Sequence, residues 1–227
     1  IAQHLIEHHQ IKALVVACNT ATAAAIHTLR AQHPHLPLIG VEPALKPAIA
    51  LSQTKRIGVI GTKGTLASEK FHRLLASVQA QADFVVQPCK GLALAIEQST
   101  HAESATQESD QISALLRDYT GQMGRFGKAP GEMDTLVLGC THYVFAENAL
   151  RRWLGPDVQL VSTGEPVARQ TRRLLEASAQ LRSGPAPHAA SARMRLMTNG
   201  ELGALQAAAH RWLQLPHSAC HKADPHV

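Results

Sequence analysis

TLVLGCTHYVF, residues 135–145, begins with four apolar or β-branched residues that run into Gly139, and Cys140, Thr141, His142 and Tyr143 follow without a break. A short continuous apolar run of this kind suits a strand buried on both faces of a parallel sheet. In open α/β sheets ligands collect at the carboxyl ends of such strands. A thiol beside a hydroxyl and an imidazole at that end is a candidate nucleophile or base. A second stretch has the same plan: ALVVACNTATAAAI, residues 13–26, is a strand ending in Cys18 beside Asn19, Thr20 and Thr22. The chain thus carries two strand-end cysteines, and the remainder reads as the scaffold that turns them towards each other.

Outward from these stretches, strands alternate with single helices. Residues 2–10 read as a helix, 13–17 as a strand and the Ala-rich 20–32 as the next helix. Pro34, Pro37, Pro43 and Pro47 surround a short strand at 38–41 and mark a crossover or hinge. A new repeat starts at Lys55: strand RIGVI, turn GTKGT (61–65), helix 68–80 and strand 84–87. Helices at 91–98 and 103–122 follow, then GRFGKAPGEMD (124–134), whose three glycines, proline and mixed charges predict an exposed loop. After 135–145 come helix 146–154, strand 158–161 and a helix opened by STGEPVA, with a Ser/Thr cap and an early Glu. A Pro/Ala/Ser linker at 182–191, a strand at MRLMT (194–198), a helix at 201–213 and a frayed last dozen residues complete the chain. Strands separated by single helices imply parallel sheets with right-handed crossovers. The expected fold is therefore α/β: two similar parallel-sheet domains facing each other across a cleft. Residues 1–41 belong to the first domain, 42–161 to the second, and 162–227 return to the first and end in the tail. Because Ile1 falls inside a helix-like pattern, the chain is expected to start in mid-domain.

Composition excludes several classes. At 227 residues the chain can bury a full core, and with only 4% aromatic residues that core is mostly Ala, Leu, Val and Ile. The net charge of +5 invites a nucleic-acid reading, but the basic residues are scattered, with only short pairs such as Arg151-Arg152 and Arg172-Arg173, so no nucleic acid is expected as partner. No apolar run approaches the ~20 residues of a membrane helix, and there is no secretory signal. Cys18, Cys89, Cys140 and Cys220 lack CxxC spacing and are too sparse for a disulfide framework. Reduced thiols and a cytoplasmic location are expected.

Each candidate residue has two readings from its type and place alone. Cys18 precedes a helix whose N-terminus faces it, which favours a thiolate; Asn19, Thr20 and Thr22 suit a carboxylate ligand. Free cysteines are equally at home as small buried hydrophobes. Cys140 has His142 two residues away to share its proton, against a Cys/His metal half-site that lacks its other ligands. GTKGT is a candidate anion cradle through its N–H groups, Thr62 and Thr65, without the Walker spacing. Cys89 lines the cleft or packs, with packing favoured, and Glu97 binds an amino group or is a solvated helix carboxylate. His217, Cys220, His221 and His226 resemble a metal cluster or are incidental residues of a tail.

Taken together, the chain resembles the aspartate/glutamate racemase family. ACNTATAAAI (17–26), GVEPALKPA (40–48), IGVIGTKGT (57–65), PCKGLALAIE (88–97), LGCTHYVF (138–145) and STGEPVA (162–168) occur in the family's order over most of the chain. CNTA followed by GCTHY is specific as a pair, and the His after GCT is similar to the glutamate-acting members rather than the aspartate-acting ones. The resemblance implies interconversion of L- and D-glutamate with no cofactor and no metal, supplying D-glutamate for peptidoglycan, with a small-molecule substrate as partner and a homodimer as a compatible assembly. It assigns Cys18 and Cys140 as the acid/base pair on opposite faces of the substrate Cα. Asn19, Thr20, Thr62, Thr65 and Thr141 bind its carboxylates or amino group, His142 assists Cys140, and Glu97 supports the site at second hand. A catalytic pKa is most effective near ambient pH, and the helix N-terminus and His142 are expected to provide that tuning.

The chain departs from the family in places. The leading strand with its Asp-Ser-Gly turn, whose Asp partners the first cysteine, and the later Pro-Tyr-Gly loop are absent, so on the resemblance the chain is expected to be N-terminally truncated, its first domain lacking its leading strands. Val144 stands where the family often has proline. Two alternatives follow from these features: another amino-acid or hydantoin racemase of the same superfamily, and a truncated fold that acts only as a binder.

Overall fold

The computed structural model describes residues 1–101, 105–184 and 194–223. The expected helix start at Glu103, residues 185–191 of the expected linker and His226 lie outside the described residues. The first part of the chain is α1 (Ala2–His9), β1 (Leu14–Val16), α2 (Asn19–Gln32), β2 (Leu38–Gly40) and α3 (Leu45–Leu51). The middle comprises β3 (Arg56–Gly61), α4 (Lys63–Leu66), α5 (Glu69–Ala76), β4 (Asp83–Pro88), α6 (Leu92–Gln98), α7 (Ala105–Met123), β5 (Thr135–Gly139), α8 (Glu147–Leu154) and β6 (Gln159–Val161). The last part is α9 (Gly164–Ala177), β7 (Leu196–Thr198), α10 (Leu202–Leu213) and β8 (Cys220–Lys222). The fold is mixed α/β with parallel sheets, as expected.

The largest sheet has the order β4-β3-β5-β6, all parallel. Its two central strands are apolar on both faces because both are covered. Side chains alternate across a strand, and the alternation sorts them cleanly. Ile60, Leu136 and Leu138 pack with Leu92 and Ile96 of α6, Leu116 of α7 and Leu150 of α8. Ile57, Val59 and Val137 pack with Leu45 and Ala48 of α3 and Phe71 of α5. Each such fully buried aliphatic side chain stabilises the fold by roughly 1.5–3 kcal/mol. A second parallel pair joins β1 to β2, from Leu14 opposite Leu38 to Val16 opposite Gly40. The β1 end is stapled by buried Thr22, whose hydroxyl donates to the Val16 carbonyl (3.1 Å) and accepts from the Val41 N–H (3.0 Å). Thr22 is thus a structural contact rather than a carboxylate ligand. Its methyl also explains Gly40, where a Cβ would lie 2.4 Å from Thr22 Cγ2.

Several local expectations are corrected. The proline-rich segment contains a helix, α3, because Pro47 lies in its first turn, where no N–H is needed. The 124–134 loop is not wholly exposed: Met133 and Asp134 are buried. Asp134 Oδ1 accepts hydrogen bonds from the Ser52 hydroxyl (2.6 Å) and the Thr135 hydroxyl (3.0 Å), and Oδ2 from the N–H groups of Gln53 (2.6 Å) and Thr54 (3.0 Å). At α9 the expected side-chain cap does not form: Thr163 has helical dihedrals, and Glu165 pairs with Arg169 one turn on. Residues 220–222, expected to fray, form β8 and pair in parallel with β7, with Cys220 packed against Ala209 of α10 and against Leu215 and Ala219 that follow it. Among the described residues no helix is long and apolar enough to cross a membrane.

Candidate active site

Sheet register explains why distant motifs meet. Gly61, the last residue of β3, is opposite Gly139 of β5 on one side and Pro88 of β4 on the other. The GTKGT turn, the GCTHY turn and Cys89 therefore emerge side by side at the carboxyl end of one sheet. The close packing there requires glycine at 139, since a Cβ would lie 2.7 Å from the Ile60 carbonyl oxygen.

The β1 end joins them through hydroxyls. Thr20 Oγ1 is 2.9 Å from Thr62 Oγ1 and 3.0 Å from Thr65 Oγ1, and Thr62 Oγ1 is 3.0 Å from Thr65 Oγ1. These three hydroxyls form a closed ring between α2 and the β3–α4 turn. Beside them Asn19 is 4% exposed, and neither atom of its carboxamide has a hydrogen-bond partner. A buried amide without partners costs about 1–3 kcal/mol, and a carboxylate is one group that would satisfy its N–H donors. Cys18 is the N-cap of α2, exposed, with the Ala21 N–H directed at its sulfur (3.5 Å).

Cys140 follows β5 and is 8% exposed. Burial pushes its thiol up; the His142 N–H opposes this, the neighbouring Cys18 charge adds to it, and the Tyr143 N–H opposes it again. The net shift is upward. The expected tuning by the His142 side chain is therefore corrected: backbone N–H groups do the lowering, and desolvation outweighs them. Cys140 rests as the thiol, the form that donates a proton. Its sulfur is 3.8 Å from His142 Nδ1, and His142 Nε2 is 4.0 Å from Glu97 Oε2, giving a chain Cys140–His142–Glu97 that runs outward. Thr141 is half-buried beside it.

Cys89 packs in the core, in keeping with the favoured reading, and burial pushes its thiol from 9.0 to about 12. Tyr143 donates to the Cys89 carbonyl (3.3 Å) and is pushed above its ordinary 10.0, chiefly by burial. These raised values have a consequence at alkaline pH. The unfolded thiol ionises near 9 while the folded one keeps its proton, so stability is fully present below that pH and is lost as pH rises towards about 12. The melting temperature is expected to hold to about pH 9 and then fall steeply. Cys89→Ala melts lower at neutral pH but declines less over that window; an equally steep decline would remove Cys89 as the cause.

Sequence reasoning missed the covering of His142. A cavity of about 250 Å³ adjoins it, lined by Ile96, Glu97 and Phe145 on one side and Leu205, Ala209 and Trp212 of α10 on the other. Phe145 stacks on Trp212 with ring centroids 4.7 Å apart. The apolar spacing of 205, 209 and 212 signals a helix face that packs, but not what it packs against. Of the tail residues that resemble a metal cluster, Cys220 is buried in the β8 pairing, and among the described residues no group of three His, Cys, Asp or Glu side chains could hold a metal ion.

A family model for Asp/Glu/Hydantoin racemase matches residues 1–171. The glutamate racemase of Pseudomonas syringae pv. tomato is 43% identical over 175 residues, 77% of this chain but 60% of that protein, so the chain spans less than two thirds of this relative's length. In structure the chain is similar to a glutamate racemase isoform from Bacillus anthracis (TM-score 0.78, 27% identity, 99% of this chain and 78% of that one). It is also similar to the Escherichia coli glutamate racemase solved with L-glutamate and the activator UDP-MurNAc-Ala (TM-score 0.72, 27% identity, 92% of this chain and 74% of that one).

Proposed function

The chain belongs to the Asp/Glu/Hydantoin racemase family, and from that premise we propose that it interconverts L- and D-glutamate without a cofactor, by proton transfer between Cys18 and Cys140. The observation that carries the reading is the closed ring of the Thr20, Thr62 and Thr65 hydroxyls beside the buried, unpartnered carboxamide of Asn19. In this reading Thr20, Thr62, Thr65 and Asn19 exchange their present arrangement for hydrogen bonds to a substrate carboxylate, and Thr141 holds the substrate from the second side. One cysteine thiolate takes the α-proton as the Cα–H bond breaks, and the electron pair delocalises into the carboxylate. The other thiol gives its proton to the opposite face, leaving a thiolate where a thiol was. Two monoprotic groups suit this task, since each is left in the form the reverse reaction needs. His142 keeps Cys140 oriented and relays its proton, and Glu97 holds His142 in turn. The product serves peptidoglycan synthesis in the cytoplasm.

Racemisation in deuterium oxide tests the proposal with the longest reading frame that carries this chain, using L-glutamate, D-glutamate and aspartate. Early in the reaction deuterium is expected at Cα of the product enantiomer and not in recovered substrate, with aspartate turned over poorly. Equal early labelling of substrate and product would indicate a single base and overturn the two-thiol scheme.

A further inference from the structure

The helix α1 reads AQHLIEHH and carries His4 and His8 one turn apart, with Glu7 between them. Residues at i and i+4 are neighbours on one helix face, and two histidines so spaced are a known way to chelate a metal from a helix. The His4 and His8 rings lie within reach of each other, with centroids 4.5 Å apart, but are stacked 19° from parallel; an imidazole lone pair lies in its ring plane, so His4 has to turn about its side-chain torsions to share an ion with His8. His8 Nδ1 lies 3.2 Å from the His4 carbonyl oxygen. With the proton on Nδ1 donated to that carbonyl, Nε2 is left as the ligating atom, and a carbonyl-fixed tautomer of this kind is the usual support of a metal-bound histidine. We propose that His4 and His8 form a two-imidazole site for a divalent transition-metal ion on the exposed face of α1.

The neighbouring groups limit what the site does. The spacing His-x-x-Glu-His occurs in zinc hydrolases, but the Glu7 carboxylate is held by the Gln3 amide on the adjacent stripe of the helix. No base therefore stands beside the ion, and hydrolytic chemistry is not expected. His9 is tilted 58° to His4 with centroids 5.5 Å apart, one position further round the helix. Among the described residues no third side chain completes a metal-holding group, so water fills the remaining positions and the ion exchanges. Imidazole donors select Cu²⁺, Ni²⁺ and Zn²⁺ over the oxygen-seeking Mg²⁺ and Ca²⁺.

Calorimetric titration of the reduced chain with Ni²⁺ at neutral pH, and with Mg²⁺ as control, tests the site. One Ni²⁺ per chain and no Mg²⁺ are expected. His4→Ala and His8→Ala each weaken nickel binding tenfold or more, whereas His9→Ala and His217→Ala leave it within a factor of two. Alanine favours helix, so circular dichroism of the variants is expected to match the parent chain. The site is overturned if the parent binds no nickel, if His4→Ala and His8→Ala bind it as the parent does, or if His9→Ala loses it as fully.

Discussion

Cys140→Ala is expected to slow glutamate racemisation in both directions by on the order of 10³-fold or more, the range general acid–base groups supply. Alanine has no proton to give or take where the Cys140 sulfur lies 3.8 Å from His142 Nδ1. Substrate affinity changes little, because the hydroxyl ring of Thr20, Thr62 and Thr65 does not involve Cys140. Cys18→Ala behaves alike. The serine variants are more informative. A hydroxyl at position 140 is too weak an acid to act as the second base, while Cys18 remains intact. Cys140→Ser should therefore exchange the α-proton of one enantiomer with solvent without inverting it, and Cys18→Ser that of the other. Loss of fold does not account for such results, since removing one sulfur at a site 8% exposed costs about 1 kcal/mol, or roughly 2–4 °C in Tm. A Cys140→Ala enzyme that racemises glutamate at the parental rate would refute the two-thiol mechanism.

Asp134→Ala is expected to be the most destabilising single exchange outside the apolar core, by about 3–5 kcal/mol or roughly 6–20 °C in Tm. The carboxylate is 3% exposed and accepts four hydrogen bonds that tie the end of α3 to the start of β5. Removing it strands two N–H groups and two hydroxyls. Asp134→Asn keeps the shape but turns one acceptor into a donor facing donors, and is expected to fall between. Burial alone would push this carboxyl up; the hydrogen bonds from Ser52, Thr54, Gln53 and Thr135 outweigh it, so the group lies below its ordinary value. A depressed carboxyl stabilises the fold above its unfolded pKa and ceases to do so as pH falls through the folded one. The parent chain should therefore lose this part of its stability in acid as pH falls through and below the ordinary carboxylate range, and Asp134→Ala should lack that part of the decline. Chemical denaturation at pH 7 and pH 3 measures both effects. Equal stability of parent and Asp134→Ala at pH 7 would remove the network from the account.

Much of the scaffold was legible in local pattern. The runs RIGVI and TLVLG read as buried strands and are the two central strands of the sheet, since continuous apolar residues have no other way to be covered on both faces. Cys18 and Cys140 stood out because each follows such a run. Composition misled where one residue's local habit was overruled by its neighbours. Four prolines hid α3, although Pro47 needs no N–H where it stands. Gly, Pro and mixed charges made 124–134 look wholly exposed, although Met133 fills the core and Asp134 anchors a distant turn.

Strand, helix and the two candidate thiols were thus encoded over a few residues at a time, because side-chain alternation and helical periodicity are local properties of the backbone. The meaning of GTKGT was not local. Its threonines became part of a site only when Thr20, more than forty residues away, met Thr62 and Thr65 across the two sheets. The same holds for Trp212 against Phe145 and for the Asp134 anchor. Those pairings follow from which apolar faces pack against each other. Such packing is a property of the whole chain's burial, and no short stretch carries it.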